Sequence, residues 1–562
     1  MMKKRLLVIF IVFLLPFFPN AQSYPQNYFR HPLDIPMQLV ANFGEIRTNH
    51  WHMGLDIRTQ QRVNLTVRAA ADGYISRVAV EPGGFGQAIY INHPNGYTTV
   101  YAHMNSFFPA LASYVKQQQY EQESWKVNLI LPANLFPVKK GDVIGLSGST
   151  GASEGPHVHF EIRDTQTENC LNPLLFKFPI ADAVPPVLTR LAMYDRNKST
   201  WEQTPQLLSL RKTGSLYTIP GNSIRVGSNK ISFAVGAIDQ FSGMTNPNGI
   251  YSAKISMDGK PVSEFVLDDI SYNDTRYMNA QLDYPYKSKG GSVQHITPLP
   301  GARDVAYNTF NGDGIIYLND NASHQVAIEV KDANGNTSKI QFSVQYDESL
   351  RRLYNLPNGE RFLPNNVNIF ERDNFELFTT EKTIYDTITV RFFETDNKAA
   401  NAVSPVFNFL SAAIPSHDFV TVRIKPTGTI PAEWRDKVVI KNVSGTRTYV
   451  EKAEWQNGWY TAKFRQFGTY QLFIDKEPPT INAPGTDLSK ATRIVFTPQD
   501  NFNTIKSFRA ELDGQWLLFT NDKGKTWIYS FDEHFPRGNH ELKITVEDAA
   551  GNVTTKSWNV TR

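Results

Sequence analysis

Two short stretches, His50-Trp51-His52-Met53-Gly54-Leu55-Asp56 and Gly155-Pro156-His157-Val158-His159-Phe160-Glu161, decide how the first part of the chain must fold. A third, Tyr101-Ala102-His103-Met104, lies between them, and residues 50–159 hold half of the chain's 12 histidines. Imidazoles clustered around a carboxylate are the ligands that a transition-metal ion requires. The sequence therefore predicts that these separated stretches converge on one metal ion, and we interpret the site as a zinc site.

The spacing within the first stretch constrains its backbone. His52 and Asp56 are four residues apart, which on a regular strand separates them by about 13 Å. That distance is too long for two ligands of one ion, and Gly54 between them disfavours the helix that would put both on one face. Because glycine permits tight bends, we predict a turn or bulge at Gly54 if both side chains bind the same metal.

The last histidine stretch predicts a strand. His157, His159 and Glu161 alternate with apolar residues and therefore point to one side of the sheet. Three ligands drawn from histidine and aspartate would leave a fourth position for water, which is typical of a catalytic rather than a structural zinc site. Spacing alone does not choose between His157 and His159 as the ligand.

Short runs rich in β-branched and aromatic residues, broken by Gly, Pro and Asn, predict an antiparallel all-β domain over residues 22–180. Asn95-Gly96 indicates a two-residue hairpin turn. A loop rich in glycine and serine over 147–156 leads into the last histidines. The predicted strands are 87–92, 98–102, 142–146 and 157–163.

Residues 105–137 depart from the all-β pattern and are predicted as a helix–strand insertion. Pro109 is suited to the first turn of a helix, and 125–131 alternates like a strand. The insertion either borders a substrate groove beside the histidines or decorates the surface, and both interpretations stand. The predicted helix carries Leu111, Tyr114 and Val115 on one face and residues 116–119 on the other.

An internal repeat occupies the remainder of the chain. Asp182-Ala183-Val184-Pro185-Pro186 recurs as Asp475-Lys476-Glu477-Pro478-Pro479, and Asp332-Ala333-Asn334-Gly335-Asn336 recurs as Asp548-Ala549-Ala550-Gly551-Asn552. Paired prolines mark a linker before an edge strand, and Asp-x-x-Gly-Asn marks a turn before a last strand. Between these motifs, each copy has an Asp-Gly hairpin signal, at 258–259 and at 513–514.

The repeat predicts two related β-sandwiches, at 183–345 and 476–562, which resemble bacterial immunoglobulin-like modules. Residues 346–475 are predicted as one further β-domain of unknown role. The fold class is thus all-β: an antiparallel-sheet domain with a short helical insertion, followed by about three β-sandwich domains.

Composition excludes several classes of protein. A chain of 562 residues is too long for one core, and a net charge of +3 gives no basis for a nucleic-acid-binding surface. The single Cys170 excludes an intramolecular disulfide and a thiolate zinc site, so we expect a buried thiol. Residues 1–21 predict a signal peptide, because basic residues precede an apolar run over 6–18 that is too short to span a bilayer well. We expect export to the periplasm or outside the cell, with no membrane span after cleavage.

The ordered motifs resemble the lysostaphin-type zinc metallo-endopeptidases, which cut peptide bonds in peptidoglycan. The resemblance rests on His52-x-Gly54-x-Asp56, Tyr101-Ala102-His103 and the glycine-rich loop ending in Pro156-His157-Val158-His159-Phe160-Glu161, and it covers roughly residues 38–175. This chain differs from the family pattern in the insertion after His103 and in Glu154 within the loop, both where substrate should enter.

The resemblance implies a role for each residue. It implies that His52, Asp56 and His159 bind one Zn²⁺ per chain and that His103 and His157 act in catalysis beside the metal. The expected substrate is the peptide part of peptidoglycan, and the β-sandwiches would contact envelope proteins. The alternatives are a non-enzymatic activator of other wall hydrolases and an endopeptidase acting on protein or glycine-rich peptides.

Other residues in or near the window have less specific predictions. Glu161 either holds a histidine or forms an ordinary ion pair, His50 is a neighbour of the site, and His93 is structural. Tyr101 either lines the groove or packs in the strand, with packing the commoner role. Trp455, Trp459 and Trp527 are candidates for glycan binding or, more commonly, for core packing.

Overall fold

The computed structural model describes residues 24–302, 305–352, 354–396 and 399–562. The predicted signal peptide at 1–21 lies outside these ranges. Strands dominate the described residues, which confirms the all-β prediction, and α1 (Pro109–Glu121) is the only α-helix longer than four residues among them.

The strands up to residue 171 form one large sheet with two smaller ones beside it. Their bounds are β1 (Leu39–Ala41), β2 (Ile46–Arg47), β3 (His50–Trp51), β4 (Leu55–Arg58), β5 (Thr66–Arg68), β6 (Gly73–Val80), β7 (Gln87–Asn92), β8 (Tyr97–Ala102), β9 (Met104–Phe107), β10 (Val127–Ile130), β11 (Pro137–Val138), β12 (Val143–Ser147), β13 (His157–Asp164) and β14 (Cys170–Leu171).

The large sheet has the order β1-β4-β13-β8-β7-β6-β10, with β11 beside β6 and β14 beside β13. Strand β7 has the predicted bounds, β8 and β13 each extend the predicted strand by one residue, and β12 is shifted by one residue. A second sheet, β5-β12-β9, covers part of the large one, and β2 pairs with β3. Alternating apolar side chains from these strands fill a core that α1 also contacts.

The hairpin between β7 and β8 differs from the prediction. Its loop has three residues, Pro94-Asn95-Gly96, because the His93 N–H donates to Tyr97 O at 2.9 Å and the Gly96 N–H donates to His93 O at 3.2 Å. The two-residue prediction was wrong because Pro94 has no N–H to close the ladder there. Its fixed φ instead suits the second position of a type I turn, with Gly96 left-handed (φ 84°) after it.

The helix begins at Pro109 as predicted and buries Leu111 and Val115. Gln119, predicted on the polar face, is also buried, because it follows Val115 by four residues and shares its side of the helix. Its amide donates to Trp125 O at 2.6 Å, which satisfies the buried polar group. The chain then returns as β10, the edge strand beside β6.

Residues 183–345, called the first module below, form a five-stranded sheet and an eight-stranded sheet. Their elements are β15 (Val187–Asp195), β16 (Gln206–Leu208), β17 (Arg211–Thr213), β18 (Leu216–Thr218), β19 (Ser223–Val226), β20 (Lys230–Ile238), β21 (Ser252–Met257), β22 (Lys260–Val266), β23 (Asp269–Ile270), α2 (Met278–Gln281), α3 (Tyr284–Lys287), β24 (Gln294–His295), β25 (Tyr307–Thr309), β26 (Ile316–Tyr317), β27 (Ser323–Lys331) and β28 (Thr337–Tyr346).

The chain ends in two further β-rich parts, of which residues 476–562 are called the last module. Their strands are β29 (Arg361–Phe362), β30 (Ile369–Arg372), β31 (Phe375–Phe378), β32 (Ile388–Thr389), β33 (Phe392–Thr395), β34 (Val406–Phe409), β35 (Pro415–Ile424), β36 (Val438–Ser444), β37 (Arg447–Lys452), β38 (Glu454–Gln456), β39 (Trp459–Gln466) and β40 (Gly468–Ile474), then β41 (Arg493–Phe496), β42 (Ile505–Leu512), β43 (Gln515–Trp516), β44 (Trp527–Ser530), β45 (Asn539–Asp548) and β46 (Val553–Thr561).

The two modules repeat the same turns. Asp258-Gly259 joins β21 to β22 and Asp513-Gly514 joins β42 to β43, each with both residues at positive φ as a type I′ turn requires. The Asp-x-x-Gly-Asn motif joins β27 to β28 in the first module and β45 to β46 in the last. Their immunoglobulin-like character stays a prediction.

The first module is fused to the large sheet. Strand β23 pairs with β14, so it becomes the tenth strand of that sheet. A single apolar core runs from Trp51 and Met53 through the first module and on into residues 362–474. The last module has an apolar core of its own.

Candidate metal centre and active site

Strand register places Asp56 beside His159. Strands β4 and β13 pair antiparallel with Asp56 opposite His159. Directly opposed residues point to the same face, with Cβ atoms ~5 Å apart. Both side chains are buried, so the sheet fixes two of the predicted ligands in mutual reach.

His52 reaches the same point because the chain bends at Gly54, between β3 and β4. A Cβ atom at position 54 would lie 2.6 Å from Phe160 O and 3.0 Å from His159 Cε1, so a larger residue would push the bend away from β13. The predicted bend is present. Glycine is needed there for the close approach of backbone to β13 rather than for a left-handed φ.

Three donor atoms form a small triangle. His52 Nε2 and His159 Nδ1 each lie 3.0 Å from Asp56 Oδ1, and 3.1 Å separates the two nitrogens. Ligands of a tetrahedral ion at ~2.1 Å are about 3.4 Å apart, so the triangle fits one face of such a tetrahedron with slight expansion. The residues present therefore fit a metal ion of this kind.

Hydrogen bonds orient the rings of both predicted histidine ligands so that one nitrogen of each faces the donor triangle. His52 Nδ1 lies 2.8 Å from Asn42 O, and since a carbonyl only accepts, Nδ1 carries the proton and Nε2 offers its lone pair to the triangle. In His159, Nε2 donates to Glu161 Oε1 at 2.9 Å, which leaves Nδ1 free. This is the usual support of a metal-bound imidazole.

Glu161 is the centre of a buried network. Its Oε2 accepts from Arg163 Nε at 2.7 Å and Nη2 at 2.6 Å, and its Oε1 accepts from the Tyr272 hydroxyl. Burial raises the pKa of Glu161, but Arg163 and His159 outweigh it and hold that pKa at about 2. Both interpretations of Glu161 are therefore met, because the ionised carboxylate holds a histidine and forms an ion pair. The Cys170 thiol, buried as expected, lies 3.7 Å from Oε2.

The second oxygen of Asp56 is bound by Arg47, whose Nη2 donates to Oδ2 at 3.1 Å. Burial alone would raise the pKa of Asp56, yet His52, His157 and His159 together hold it well below its ordinary value. Burial lowers the pKa of His159, but the hydrogen bonds to Asp56 and Glu161 outweigh burial and raise that pKa to about 9. These shifts mark a pocket whose carboxylates favour a positive charge among the histidines.

His103 and His157 flank the triangle. Their ring centroids are 4.7 Å apart, and His157 Nε2 lies 3.4 Å from Asp56 Oδ1. His103 Nδ1 donates to Thr150 O at 2.8 Å and His157 Nδ1 donates to Gly155 O at 2.8 Å, so each Nδ1 carries a proton. Burial, with the nearby His159 and His157, lowers the pKa of His103 to about 3, and the ring is neutral at pH 7.

The position of His103 depends on two loops that pack backbone against backbone. His103 is left-handed (φ 59°), a conformation that costs energy for a residue other than glycine and recurs at functional sites. Its N–H donates to Phe85 O at 2.9 Å. A Cβ at Gly151 (φ 70°) would lie 2.3 Å from Gly86 N, which explains why glycine occupies the loop there. The glycine-rich loop thus holds His103 through Thr150 O.

A cavity of about 600 Å³ lies near the histidines, although no histidine lines it. Phe85 links the two, because its ring centroid lies 5.5 Å from that of His159 and it also lines the cavity. β10, in the insertion, forms one wall, which favours the interpretation that the insertion borders a groove. The first module forms another wall with Ser271, Tyr272 and Asn273.

The last module contacts the glycine-rich loop and α1. Asp522 Oδ1 accepts from Gly151 N at 2.7 Å, and Lys523 Nζ donates to Ser153 O at 2.6 Å, both in the glycine-rich loop. Lys116 on α1 pairs with Asp532 at 2.7 Å. The helix therefore lies between the sheet and the last module.

The other sequence candidates lie away from the donor triangle. His50 is exposed and bonds Thr48 O, and His93 bonds Asp72 O and Thr99. Tyr101 is fully buried and does not line the cavity. The tryptophans are mostly buried, Trp459 at 8% and Trp527 at 7% exposed, whereas Trp455 is 45% exposed.

Sequence reasoning missed Arg47, Arg163 and Tyr272. Arg163 continues the alternating row of His157, His159 and Glu161, so the row itself was a usable signal. Tyr272 lies 111 positions after Glu161 in a different module, and no local pattern indicates it.

Comparison with known proteins gives two family matches. The model of peptidase family M23 matches residues 50–120 and 136–173, and the model of the Zu5-like domain matches residues 360–475. The gap in the first match falls within the predicted insertion. The second match lies within the β-domain that had no recognised motif in the sequence. Within the described residues, no helix combines the length and apolarity needed to cross a membrane.

Three curated relatives share the first region. A DD-carboxypeptidase/endopeptidase (Mpg) of Neisseria meningitidis is 33% identical over 141 residues, 25% of this chain and 24% of that protein. An uncharacterized metalloprotease of Haemophilus influenzae is 34% identical over 169 residues, 28% of this chain and 29% of that protein. The peptidoglycan DD-endopeptidase ShyA of Vibrio cholerae is 26% identical over 172 residues, 30% and 34% of the two chains. The chain spans about a quarter to a third of the length of these relatives.

Proposed function

We propose that this chain is an exported zinc metallo-endopeptidase that hydrolyses peptide bonds, in particular cross-links, of peptidoglycan, because residues 50–120 and 136–173 match the model of peptidase family M23. The observation that carries the proposal is the triangle of His52, Asp56 and His159 donor atoms, with two more histidines beside it. The names of the Neisseria and Vibrio relatives agree with this substrate class.

The donor set favours zinc. Two imidazole nitrogens and one carboxylate oxygen, with the fourth vertex free, are the ligands of a catalytic zinc site. His52, Asp56 and His159 would hold the ion, and Asn42 O and Glu161 keep the two imidazoles aimed at it. When bound, zinc polarises the scissile carbonyl and lowers the pKa of water towards neutrality.

The remaining histidines move protons. His103 and His157 each keep Nδ1–H on a backbone carbonyl, and His157 Nε2 lies 3.4 Å from Asp56 Oδ1 of the triangle. With Nε2 unprotonated, either ring can accept the proton of an attacking water and later donate it to the leaving amine. We assign the two rings jointly to this task, and the cavity lined by Phe85 and Tyr272 to the peptide.

The proposal includes where the protein works and how it is divided. Residues 1–21 act as a signal peptide for export to the periplasm or beyond, and residues 22–180 form the peptidase domain. The first module (183–345), residues 346–475 and the last module (476–562) follow as further β-domains. These domains contact the wall or envelope proteins and hold the peptidase domain there.

The test uses the mature chain, residues 22–562, because Tyr272 of the first module bonds Glu161. The zinc-loaded chain is incubated with purified peptidoglycan, and new peptide termini are identified by mass spectrometry. We expect cleavage by the wild type and a loss of at least ~100-fold in turnover for His103→Ala with zinc still bound, the usual contribution of a proton-transfer group. His50→Ala is the matched control and should retain activity, since His50 is exposed and bonds only Thr48 O among the described residues.

The outcomes separate the alternatives. No new termini from the zinc-bound wild type would refute the proposal. If the His103→Ala chain still stimulates other wall hydrolases as well as the wild type does, the protein is a regulator. Cleavage of protein or glycine-rich peptides in place of peptidoglycan would leave the chemistry standing and replace the substrate.

A further inference from the structure

Each of the two modules, together with the residue just before it, carries a cluster of three aspartates. At the first module, carboxylate oxygens of Asp182, Asp239 and Asp332 all lie within 4.8 Å of one another. At the last module, oxygens of Asp475, Asp500 and Asp548 do the same. Like charges so close repel strongly unless a cation or proton lies among them.

The two clusters occupy equivalent positions in the repeat. The first aspartate of each stands three residues before Pro-Pro, and the last opens the Asp-x-x-Gly-Asn turn. The middle one follows the same backbone pairing, Val187 opposite Ile238 in the first module and Thr480 opposite Gln499 in the last. The same arrangement therefore occurs twice in domains with separate apolar cores.

Oxygen atoms in these clusters lack the donors that burial demands. Asp239 is 2% exposed, and among the described residues its Oδ1 has no hydrogen-bond partner. Asn248, 4% exposed, is paired opposite Asp239 on the same face, and its Oδ1 also lacks a partner there. Asp500 in the last module is half-buried, but its Oδ1 is shielded from solvent and likewise has no hydrogen-bond partner among the described residues. A buried oxygen without a donor is destabilising and indicates a missing partner.

No positive side chain supplies that partner. Within the described ranges, none of the six aspartates forms an ion pair with Lys, Arg or His. The other oxygens are held by neutral groups: Asn336 donates to Asp332 at 2.7 Å and Asn552 to Asp548 at 2.9 Å. Burial and the neighbouring carboxylates raise the pKa of Asp239 to about 8.

We propose that each aspartate cluster binds one Ca²⁺, at a site separate from the histidine centre. The donor set is all oxygen, which hard cations prefer and which lacks the imidazole or thiolate typical of zinc. Oxygens bound to one Ca²⁺ at 2.3–2.6 Å lie at most about 5 Å apart, and the measured limit of 4.8 Å is within that range.

The location of the two sites gives them a structural role. Asp182 lies in the linker between the large sheet and β15, and Asp475 follows β40 at the end of the Zu5-like match. Each ion joins the linker that enters a module to a strand end and a turn within that module. Calcium therefore fixes how each module is attached to the part that precedes it, and so stabilises the contacts around the peptidase domain.

The experiment is calcium titration of the mature chain, freed of divalent ions on a chelating resin and reloaded with one zinc. By calorimetry we expect two calcium ions per chain, with a dissociation constant on the order of 10⁻⁴–10⁻³ M as in other extracellular modules, and a rise in melting temperature. Asp239→Asn and Asp500→Asn should each remove one site, and the double variant both. Asp487→Asn, an exposed aspartate of the last module, is the matched control and should keep two.

The variants remain informative about folding. Replacing Asp by Asn keeps the size of the side chain and removes a repelling charge, so without calcium we expect melting temperatures at or above that of the wild type. The proposal is overturned if the wild type binds no calcium at 10 mM, on the order of ten times the expected dissociation constant. It is also overturned if two ions still bind to the double variant, or if magnesium alone stabilises equally well.

Discussion

The first and last modules share their turns and their aspartate clusters, yet they contact the first β-domain (residues 22–180) in different ways. The first module contributes β23 to the large sheet, shares one apolar core with Trp51, and reaches Glu161 through Tyr272. The last module keeps a separate core and meets that domain through polar and aromatic surface groups. Its contacts include Asp522 and Lys523 on the glycine-rich loop, Lys116 with Asp532 and Glu533, and Glu123 with Arg509 at 2.6 Å. Tyr120 also stacks on His534 at 3.8 Å and meets Trp516 edge-on at 5.3 Å.

The difference shows that the same repeated fold can be attached to the site in two ways. The first module is joined through a shared sheet and core, and the last module through a surface contact that can open. A shared sheet and core do not separate without unfolding, because many apolar contacts are lost together. Exposed ion pairs contribute about 0–1 kcal/mol each, so a surface held mainly by them can open while both domains stay folded. We call the attachment of the first module to the large sheet the first joint, and the contact of the last module with the glycine-rich loop and α1 the second joint. We therefore expect substitutions at the first joint to alter metal binding and stability, and substitutions at the second joint to alter the motion of the glycine-rich loop.

The largest effect is expected for Glu161→Gln. The change leaves the buried Arg163 without its countercharge and weakens the hold on His159. We expect a loss of about 3–5 kcal/mol in the free energy of unfolding and 10- to 100-fold weaker zinc binding. Urea denaturation and competitive zinc titration measure the two. Glu348→Gln, which breaks an exposed pair with Arg351 at 3.3 Å, is the control and should cost under ~1 kcal/mol.

The same substitution has a pH signature. The pKa of Glu161 falls from an ordinary 4.5 to about 2 on folding, so its ionised form stabilises the wild type fully above pH 4.5. That contribution is lost as the pH falls towards 2. Wild type and variant should therefore converge in stability between these pH values, and a difference that stays constant down to pH 2 would contradict the assigned network.

A smaller effect at the same joint is expected for Tyr272→Phe. The ring remains, including its contact with the Arg163 guanidinium 4.8 Å away, and only the hydroxyl that donates to Glu161 is lost. We expect about 1.5 kcal/mol less stability and a few-fold weaker zinc binding. If zinc affinity is unchanged while Glu161→Gln lowers it, the first module does not act on the metal centre.

The smallest effect is expected for Asp522→Ala at the second joint. Stability should change by under ~1 kcal/mol because the contact is single and near the surface. The Gly151 amide, which donates to Asp522 Oδ1, should exchange its hydrogen several-fold faster, as hydrogen-exchange mass spectrometry of the loop would show. Lys525→Ala, an exposed neighbour, should change neither quantity. Unchanged exchange in the Asp522 variant would mean that the last module leaves the loop unrestrained.

Sequence predicted the parts of the site that depend on local geometry. Strand alternation indicated that His157, His159 and Glu161 share a side. The spacing of His52 and Asp56 around Gly54 indicated a bend there if both side chains bind one metal. The helix at Pro109 began as expected. These features follow from the sterics of a few neighbouring residues.

The remaining features depend on contacts between distant segments. The pairing of Asp56 with His159 is a matter of strand register, and the choice of His159 as ligand came from the family resemblance. The hairpin error came from reading Asn95-Gly96 without the constraint of Pro94. Tyr272 could not be predicted because its partner Glu161 lies in a distant segment. The hydrogen bond to Trp125 O that satisfies the buried Gln119 amide likewise forms only in the folded chain.

The single thiol of the chain, Cys170, can report how often the first joint opens. Cys170 is fully buried in β14, the strand that pairs with β23, so a thiol reagent meets it only while that pairing is open. Burial and the neighbouring Glu161 raise its pKa, so the closed state does not react. The rate of Cys170 labelling under native conditions therefore measures how often the joint opens, and it requires no engineered probe.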